Sequence, residues 1–269
     1  MCPILVHFNL LGINVYIYAY TVFLILGVGL GTIVFIKFAG NLGIPDRIPG
    51  KLAALLVVSA VAGSRLMYVI QHPQQFSSVL TIVDPGKAGM AIFGGLLLML
   101  ISGFVYSRVR QIRIAAILDS MTMAMIAGIP LIRIGCFLNG CCYGELTSST
   151  LGVSFPSGSI PYRQQIKEGL VKMFEQTLPV YPTQLFEMTA VILIGTVAFL
   201  VLRSRLKPGS ACAVFFALYS VFRAFNAQLR FEGLVWYYPY IYSVVIAIAL
   251  IYLIYANIFQ RSRSYKKRY

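Results

Sequence analysis

Apolar positions along this chain gather into long runs, and the polar ones fall mostly in the short gaps between them. Seven runs, near 16–38, 52–71, 88–107, 114–133, 183–202, 210–230 and 237–259, each approach the ~20 helical residues that cross a hydrocarbon core. The pattern predicts an all-α polytopic membrane protein with seven transmembrane helices, the fourth and sixth interrupted by polar groups. No internal repeat, low-complexity tract or linker divides the chain, so 1–269 reads as a single transmembrane domain. One connection, 136–181, is much longer than the others and predicts a small lobe inserted between spans four and five. Within it, Tyr162, Ile166, Leu170, Met173 and Phe174 recur at helical spacing beside Arg163, Lys167, Glu168 and Lys172, which predicts an amphipathic helix on the membrane surface. That helix reads equally as a cap or as a substrate-docking arm.

Composition agrees with this class: 59% of the residues are hydrophobic and only 11% are charged, which excludes an ordinary soluble domain. A net charge of +14 could point to nucleic acid, but no soluble face exists to carry it and nucleic acid is not an expected partner. The basic residues alternate between loops instead. Lys37, Arg47 and Lys51, then Arg108, Arg110 and Arg113, then Arg203, Arg205 and Lys207, then the tail from Arg261 to Arg268 lie on one side; Lys87, Arg163, Lys167 and Lys172 lie on the other. The positive-inside rule then puts the N-terminus and the lobe outside and the C-terminus in the cytoplasm. The basic tail reads as an anchor to anionic headgroups of the lipid bilayer.

With that orientation, the polar residues inside spans share a depth. Tyr20, Arg65, Gly94, Gly95, Arg133, Gln184, Glu187, Arg223 and Arg230 all fall in the outer half, while Asp119 lies nearer the cytoplasm. An ionisable group inside the membrane costs roughly 2.5–3.5 kcal/mol on insertion scales unless it is paired or hydrated, so convergence at one depth predicts a shared cavity. Four arginines against one glutamate leave positive charge in excess, and guanidinium forks suit the phosphate of an outer-leaflet phospholipid. Structural pairing, of Arg65 or Arg223 with Glu187, is the competing reading.

The stretch Ile132–Gly144 concentrates this chemistry: Arg133, then Cys136, Cys141 and Cys142 among Gly135, Gly140 and Gly144. The thiols are spaced C-x4-C-C, with no C-x2-C pair and no histidine partner, so neither a metal nor another cofactor is expected. A disulfide from Cys136 to Cys141 or Cys142, a thiolate activated by Arg133, and plain packing all stay open. Cys2 and Cys212 stand alone. G-x-S-x-G, H-E-x-x-H and Walker signatures are absent, and the aromatic run from Trp236 to Tyr240 reads as an interfacial belt.

Taken in order, Tyr18-Ala-Tyr20, Gly63-Ser-Arg65-Leu-Met-Tyr68, Gly89 to Gly95, Asp119, Arg133-Ile-Gly135-Cys-Phe-Leu-Asn139-Gly140, Tyr181-Pro-Thr-Gln184-Leu-Phe-Glu187 and Leu218-Tyr-Ser-Val-Phe-Arg223 through Arg230 resemble the bacterial prolipoprotein diacylglyceryl transferases over nearly the whole chain. The resemblance implies a monomer in the bacterial inner membrane with its site toward the outer leaflet. It implies transfer of the diacylglyceryl group of phosphatidylglycerol to the lipobox cysteine of a precursor lipoprotein, with release of glycerol phosphate. Arg133, Arg223, Tyr20 and Glu187 would then serve catalysis, and Arg65, Gly94, Gly95, Gly140, Gly144, Gln184, Arg230, Cys136 and Cys141 would bind substrate. Departures accompany it: the family's histidine before the glycine pair is Phe93 here, its signature asparagine and glutamate are Cys136 and Cys141, its histidine before Pro-Ser/Thr-Gln is Tyr181, and a glutamate between the last two arginines is Ala227. These departures keep two further readings open, a catalytically silent lipid- or lipoprotein-binding relative and a transferase that uses the same donor with a different acceptor.

Overall fold

Four helices of this chain are followed within two residues by left-handed backbone, at Gly43, Gln111, Gly140 and Gly169. The computed structural model describes residues 4–10, 13–76, 89, 91–204, 206–231 and 237–266, without the side chains of residues 8, 10, 13, 15, 92 and 257–266. Cys2, Lys87, Arg205, Trp236 and Arg268, named above, lie outside the described residues. The helices are α1 (Ala19–Asn41), α2 (Pro49–Gln71), α3 (Ile92–Val109), α4 (Ile114–Asn139), α5 (Ile160–Lys167), α6 (Thr183–Arg203), α7 (Ser210–Asn226) and α8 (Tyr238–Lys266). Six of them, α1, α2, α4, α6, α7 with its short 3-10 extension, and α8, are long and apolar enough to cross a membrane; α3 is also apolar but shorter. The chain is thus a multi-pass helical membrane protein by length and composition.

Two expectations need correction. The fold is helical but not wholly so, because Ile4–Leu10 (β1) and Ile13–Tyr18 (β2) pair antiparallel, with Asn9 opposite Asn14 and His7 stacked on Tyr16. The first apolar run therefore contains a strand and then a helix: Val15, Tyr16, Ile17 and Tyr18 are β-branched or aromatic and favour the pleated pairing, and α1 starts only at Ala19. The amphipathic helix is also shorter than predicted. Ser159 caps α5 by accepting the amide of Tyr162, but the helix stops at Lys167. Gly169 adopts φ +71°, its N–H donates to Ile166 and that of Leu170 donates to Gln165, which is the Schellman termination. Leu170, Met173 and Phe174 lie beyond that stop, and Phe174 is 90% exposed.

Two compact units make up the chain. Residues Val34–Met121 form one, in which α2 and α3 pack closely through small residues. A Cβ on Gly94 would lie 2.3 Å from the Gly63 carbonyl oxygen, and one on Gly95 would lie 2.6 Å from that of Ala60, so the two backbones approach as only glycine permits. Here Arg65 donates to the Gly89 carbonyl at 3.2 Å and lies over the Phe76 ring. The other unit comprises Met1–Ile33 and Thr122–Tyr269. In it α7 packs against both α6 and α8, and Gly27 of α1 meets Gly128 of α4 backbone to backbone. Residues between α4 and α6 are tied by isolated bridges of Val180 to Leu146 and Val153, over a small core of Tyr143, Phe155 and Val180.

The α2–α3 crossing generates a prediction. Gly94→Leu forces a side chain into the Gly63 backbone and should cost at least about 1–3 kcal/mol, read as a clear fall in the midpoint of thermal unfolding in detergent. Gly29→Leu, where nothing lies within 4 Å of the added Cβ, should leave the midpoint nearly unchanged.

Candidate functional site

Glu187 stands one turn into α6, 2% exposed, and both its carboxylate oxygens are engaged. Oε1 accepts Arg133 Nη2 at 2.7 Å and the Tyr219 hydroxyl at 2.5 Å; Oε2 accepts Arg223 Nη1 at 2.9 Å. Helical spacing delivers these groups. Tyr219 and Arg223 are four apart on α7 and share a face, as do Arg133 and Cys136 on α4 and Gln184 and Glu187 on α6. Two guanidiniums against one carboxylate leave a net charge of +1 in a largely buried setting, the arginine side chains being 19% and 15% exposed. Arg133 Nε is buried with no hydrogen-bond partner among the described residues, and Nη1 points to Cys136 Sγ at 3.9 Å. Arg133 thus keeps donor capacity after its ion pair is made.

Below Arg133, α4 terminates in a second Schellman turn. Gly140 takes φ +74°, its N–H donates to Phe137 at 3.2 Å, and that of Cys141 donates to Cys136 at 3.1 Å. The six-to-one bond of this turn folds Cys141 back over Cys136, and Cys142 at φ +60° completes the reversal. All three sulfurs lie within 4.8 Å of one another as free thiols. The first turn of α6 clamps this hairpin of backbone: Gln184 Nε2 donates to the Cys141 carbonyl at 2.7 Å and Thr183 Oγ1 to that of Cys142 at 2.6 Å. Asn226, buried at the end of α7, donates in turn to the Thr183 carbonyl. Hydrogen bonds from the thiols of Cys136 and then Cys141 hold the Cys142 thiol well below its ordinary value, with the charges of Arg230 and Arg133 adding to the effect.

The residues singled out in the sequence fall into distinct places. Arg133, Arg223, Glu187, Gln184, Cys136, Cys141 and Gly140 converge in one unit, and Tyr20, in the first turn of α1, falls in the electrostatic neighbourhood of the three thiols and Arg133. Arg230 follows the 3-10 turn after α7 and bridges Gly144 through the backbone. Gly144 is itself walled in, since a Cβ there would lie 2.5 Å from the Leu229 carbonyl oxygen and 2.6 Å from Tyr181 Cβ; its smallness serves packing. Gly94 and Gly95 meet α2 in the same manner, and Arg65, in the other unit, engages Gly89 and Phe76. Of the two pairings weighed for Glu187, Arg223 makes one and Arg133 adds another. Tyr219 and Thr183 lie within the motifs that carry the resemblance and Asn226 flanks Ala227, but the sequence assigns none of them a role, although the four-residue step from Tyr219 to Arg223 signals a shared face.

The molecule is therefore a multi-pass helical protein with a cationic, carboxylate-braced cluster inside its spans. Residues 5–259 match the family model described as prolipoprotein diacylglyceryl transferase. A phosphatidylglycerol–prolipoprotein diacylglyceryl transferase 2 of Clostridium perfringens is 24% identical over 216 residues, covering 80% of this chain and 79% of that protein. A phosphatidylglycerol–prolipoprotein diacylglyceryl transferase of Rickettsia africae is 25% identical over 82% of this chain and 80% of its own length. One of Dehalococcoides mccartyi is 28% identical over 64% of this chain, a match that spans only 61% of that relative. The chain belongs to the prolipoprotein diacylglyceryl transferase family, a family of transferases.

Sharing one carboxylate makes the cluster cooperative. Glu187→Ala strands two buried guanidiniums and should destabilise by about 3–5 kcal/mol. Combining it with Arg223→Met should recover part of that loss. A double-mutant cycle by thermal or denaturant unfolding in detergent reads the coupling, and additive losses would contradict a shared brace.

Proposed function

We propose that this protein transfers the diacylglyceryl group of phosphatidylglycerol to the lipobox cysteine thiol of a precursor lipoprotein, releasing glycerol phosphate. The observation that carries this reading is the Arg133–Glu187–Arg223 cluster, whose single excess positive charge matches one phosphodiester. The acceptor sulfur attacks the glycerol carbon that bears the phosphate, a C–S bond forms, the C–O bond breaks, and its electron pair leaves with glycerol phosphate. The thiol proton goes to water. The leaving phosphate gains negative charge as the bond breaks, so Arg133, Arg223 and Arg230 stabilise the transition state more than the bound lipid.

Glu187 acts as a brace for the arginines. Three of the roughly four lone-pair sites of a carboxylate are already taken there, which leaves little room for a substrate proton. Tyr20 stands beside the thiols as a positioning or proton-relaying hydroxyl. Cys136, Cys141, Gly140 and Gln184 shape the wall nearest Arg133, and Gly144 supports it through packing. In the other unit, Gly94 and Gly95 serve the close packing of α3 on α2, and Arg65 is held by the Gly89 carbonyl and the Phe76 ring.

In this reading α3 crosses with the six longer helices to make seven spans. The N-terminus and the 136–181 lobe face outward, the basic C-terminal tail lies in the cytoplasm, and the site opens to the outer leaflet of a bacterial cytoplasmic membrane. The charge asymmetry of the loops supports that orientation. The working unit is one chain.

Purified protein with phosphatidylglycerol labelled in its headgroup and a lipobox peptide should release labelled glycerol phosphate and yield the thioether-linked peptide. Arg133→Ala should lower kcat/KM by about 100–1000-fold, the range for losing one transition-state donor. Absence of release by folded wild-type protein would overturn the proposal, and release without peptide labelling would identify a different acceptor.

A further inference from the structure

Three thiols meet beside the arginine cluster, and the reaction proposed above gives none of them a chemical task. We propose that Cys136, Cys141 and Cys142 form a three-thiolate zinc site whose open fourth position binds the acceptor thiol, an inference that rests on the transferase reading. The geometry is nearly that of such a site. Sulfurs about 2.3 Å from a tetrahedral zinc are roughly 3.8 Å apart, so sulfurs within 4.8 Å of one another need to close by only about an ångström. Their backbone is fixed from outside the turn: Gln184 and Thr183 hold the carbonyls of Cys141 and Cys142, and the Gly140 turn holds Cys136 and Cys141 together. Such bracing orients the ligating side chains in advance.

The donor set selects the ion. Soft thiolates favour zinc or monovalent copper. Three thiolates would saturate trigonal copper, whereas zinc with three protein ligands keeps a fourth position for water or substrate, as catalytic zinc sites do. Three thiolates and one zinc carry a net charge of −1, which the further positive charge of Arg230 acting on Cys142 offsets, leaving the excess charge of the Arg133–Glu187–Arg223 cluster for the phosphate; Arg133 Nη1 faces Cys136 Sγ at 3.9 Å. On the outward face proposed above, a bound ion would also keep the thiols from oxidation.

Zinc would supply what the other residues do not. Phe93 stands where the resemblance places a histidine and cannot take a proton, and Glu187 is engaged on both oxygens. A thiol that coordinates a metal is deprotonated. The acceptor R–SH would bind zinc as R–S⁻ and release its proton to water. Its sulfur lone pair would attack the glycerol carbon, the C–O bond would break toward glycerol phosphate, and the weakly coordinating thioether would depart. Zinc stays divalent throughout. Cys136 lies one helical turn from Arg133, which would put nucleophile and phosphate side by side.

Full-length protein purified in detergent under reducing conditions, without chelator, should carry about one zinc per chain by elemental analysis. Cys136→Ser, Cys141→Ser and Cys142→Ser should each lose about tenfold or more in metal affinity, while Cys212→Ser should retain it. Cobalt-loaded protein should show thiolate charge-transfer and tetrahedral d–d absorption that shifts with a lipobox peptide and not with the same peptide carrying serine for cysteine. Zinc with no response to the peptide would overturn the acceptor role. Copper in its place, or no metal with a disulfide among the three, would overturn the site. Zinc and the spectral shift without diacylglyceryl transfer would count against the proposed function and leave the thiol-binding site standing.

Discussion

A single carboxylate shared by two arginines is the constraint on which the membrane-embedded part of this protein depends. Each guanidinium brought into the spans would cost several kcal/mol alone, and Glu187 offsets both at once while leaving a unit of positive charge. The cluster also fixes three helices against one another, since Arg133, Glu187 with its neighbours, and Tyr219 with Arg223 come from α4, α6 and α7. In the function proposed above, stability and anion affinity therefore draw on the same groups. A fully neutralised cluster would hold the helices but offer no excess charge to an anion; an unbraced one would carry more positive charge at a cost of about 3–5 kcal/mol in stability.

From this brace a second layer is hung. Glu187 and Gln184 occupy one face of α6, so the helix that positions the carboxylate also clamps the thiol turn through Gln184 and Thr183. Asn226 carries the same connection to α7. The ion-pair cluster and the sulfur cluster are in consequence two ends of one hydrogen-bonded assembly, joined besides by Arg133, which touches both.

Much of this could be read in the sequence, and what could not has identifiable causes. Span positions follow from run length, because burial in a membrane demands long apolar helices. The N-terminal hairpin is not evident in the sequence, since the end of β2 is apolar enough to merge into the same run as the helix that follows it. The end of α4 was set six residues early, at Arg133, because polar residues there looked like an exit from the membrane when they are a helix face turned inward. Charged residues inside spans marked Arg133, Glu187 and Arg223 at once, but four arginines offered too many partners for sequence to choose the pairing. Tyr219 stands within the Leu218–Arg223 motif, but nothing in the sequence distinguishes it from the other 16 tyrosines as a partner of Glu187. The C-x4-C-C spacing fits no familiar metal set, yet a Schellman turn makes residues five apart neighbours, and Gly140 is the sequence signal for that turn.

The left-handed backbone of Cys142 has a further meaning when set against glycine. A side chain in that conformation costs roughly 1–2 kcal/mol that glycine would not incur. Selection for stability alone would favour removing the thiol from the turn. A cysteine at 142 is thus the less stable choice at its own position, and the turn trades some folding free energy for a reactive atom held where the chain would sooner have none.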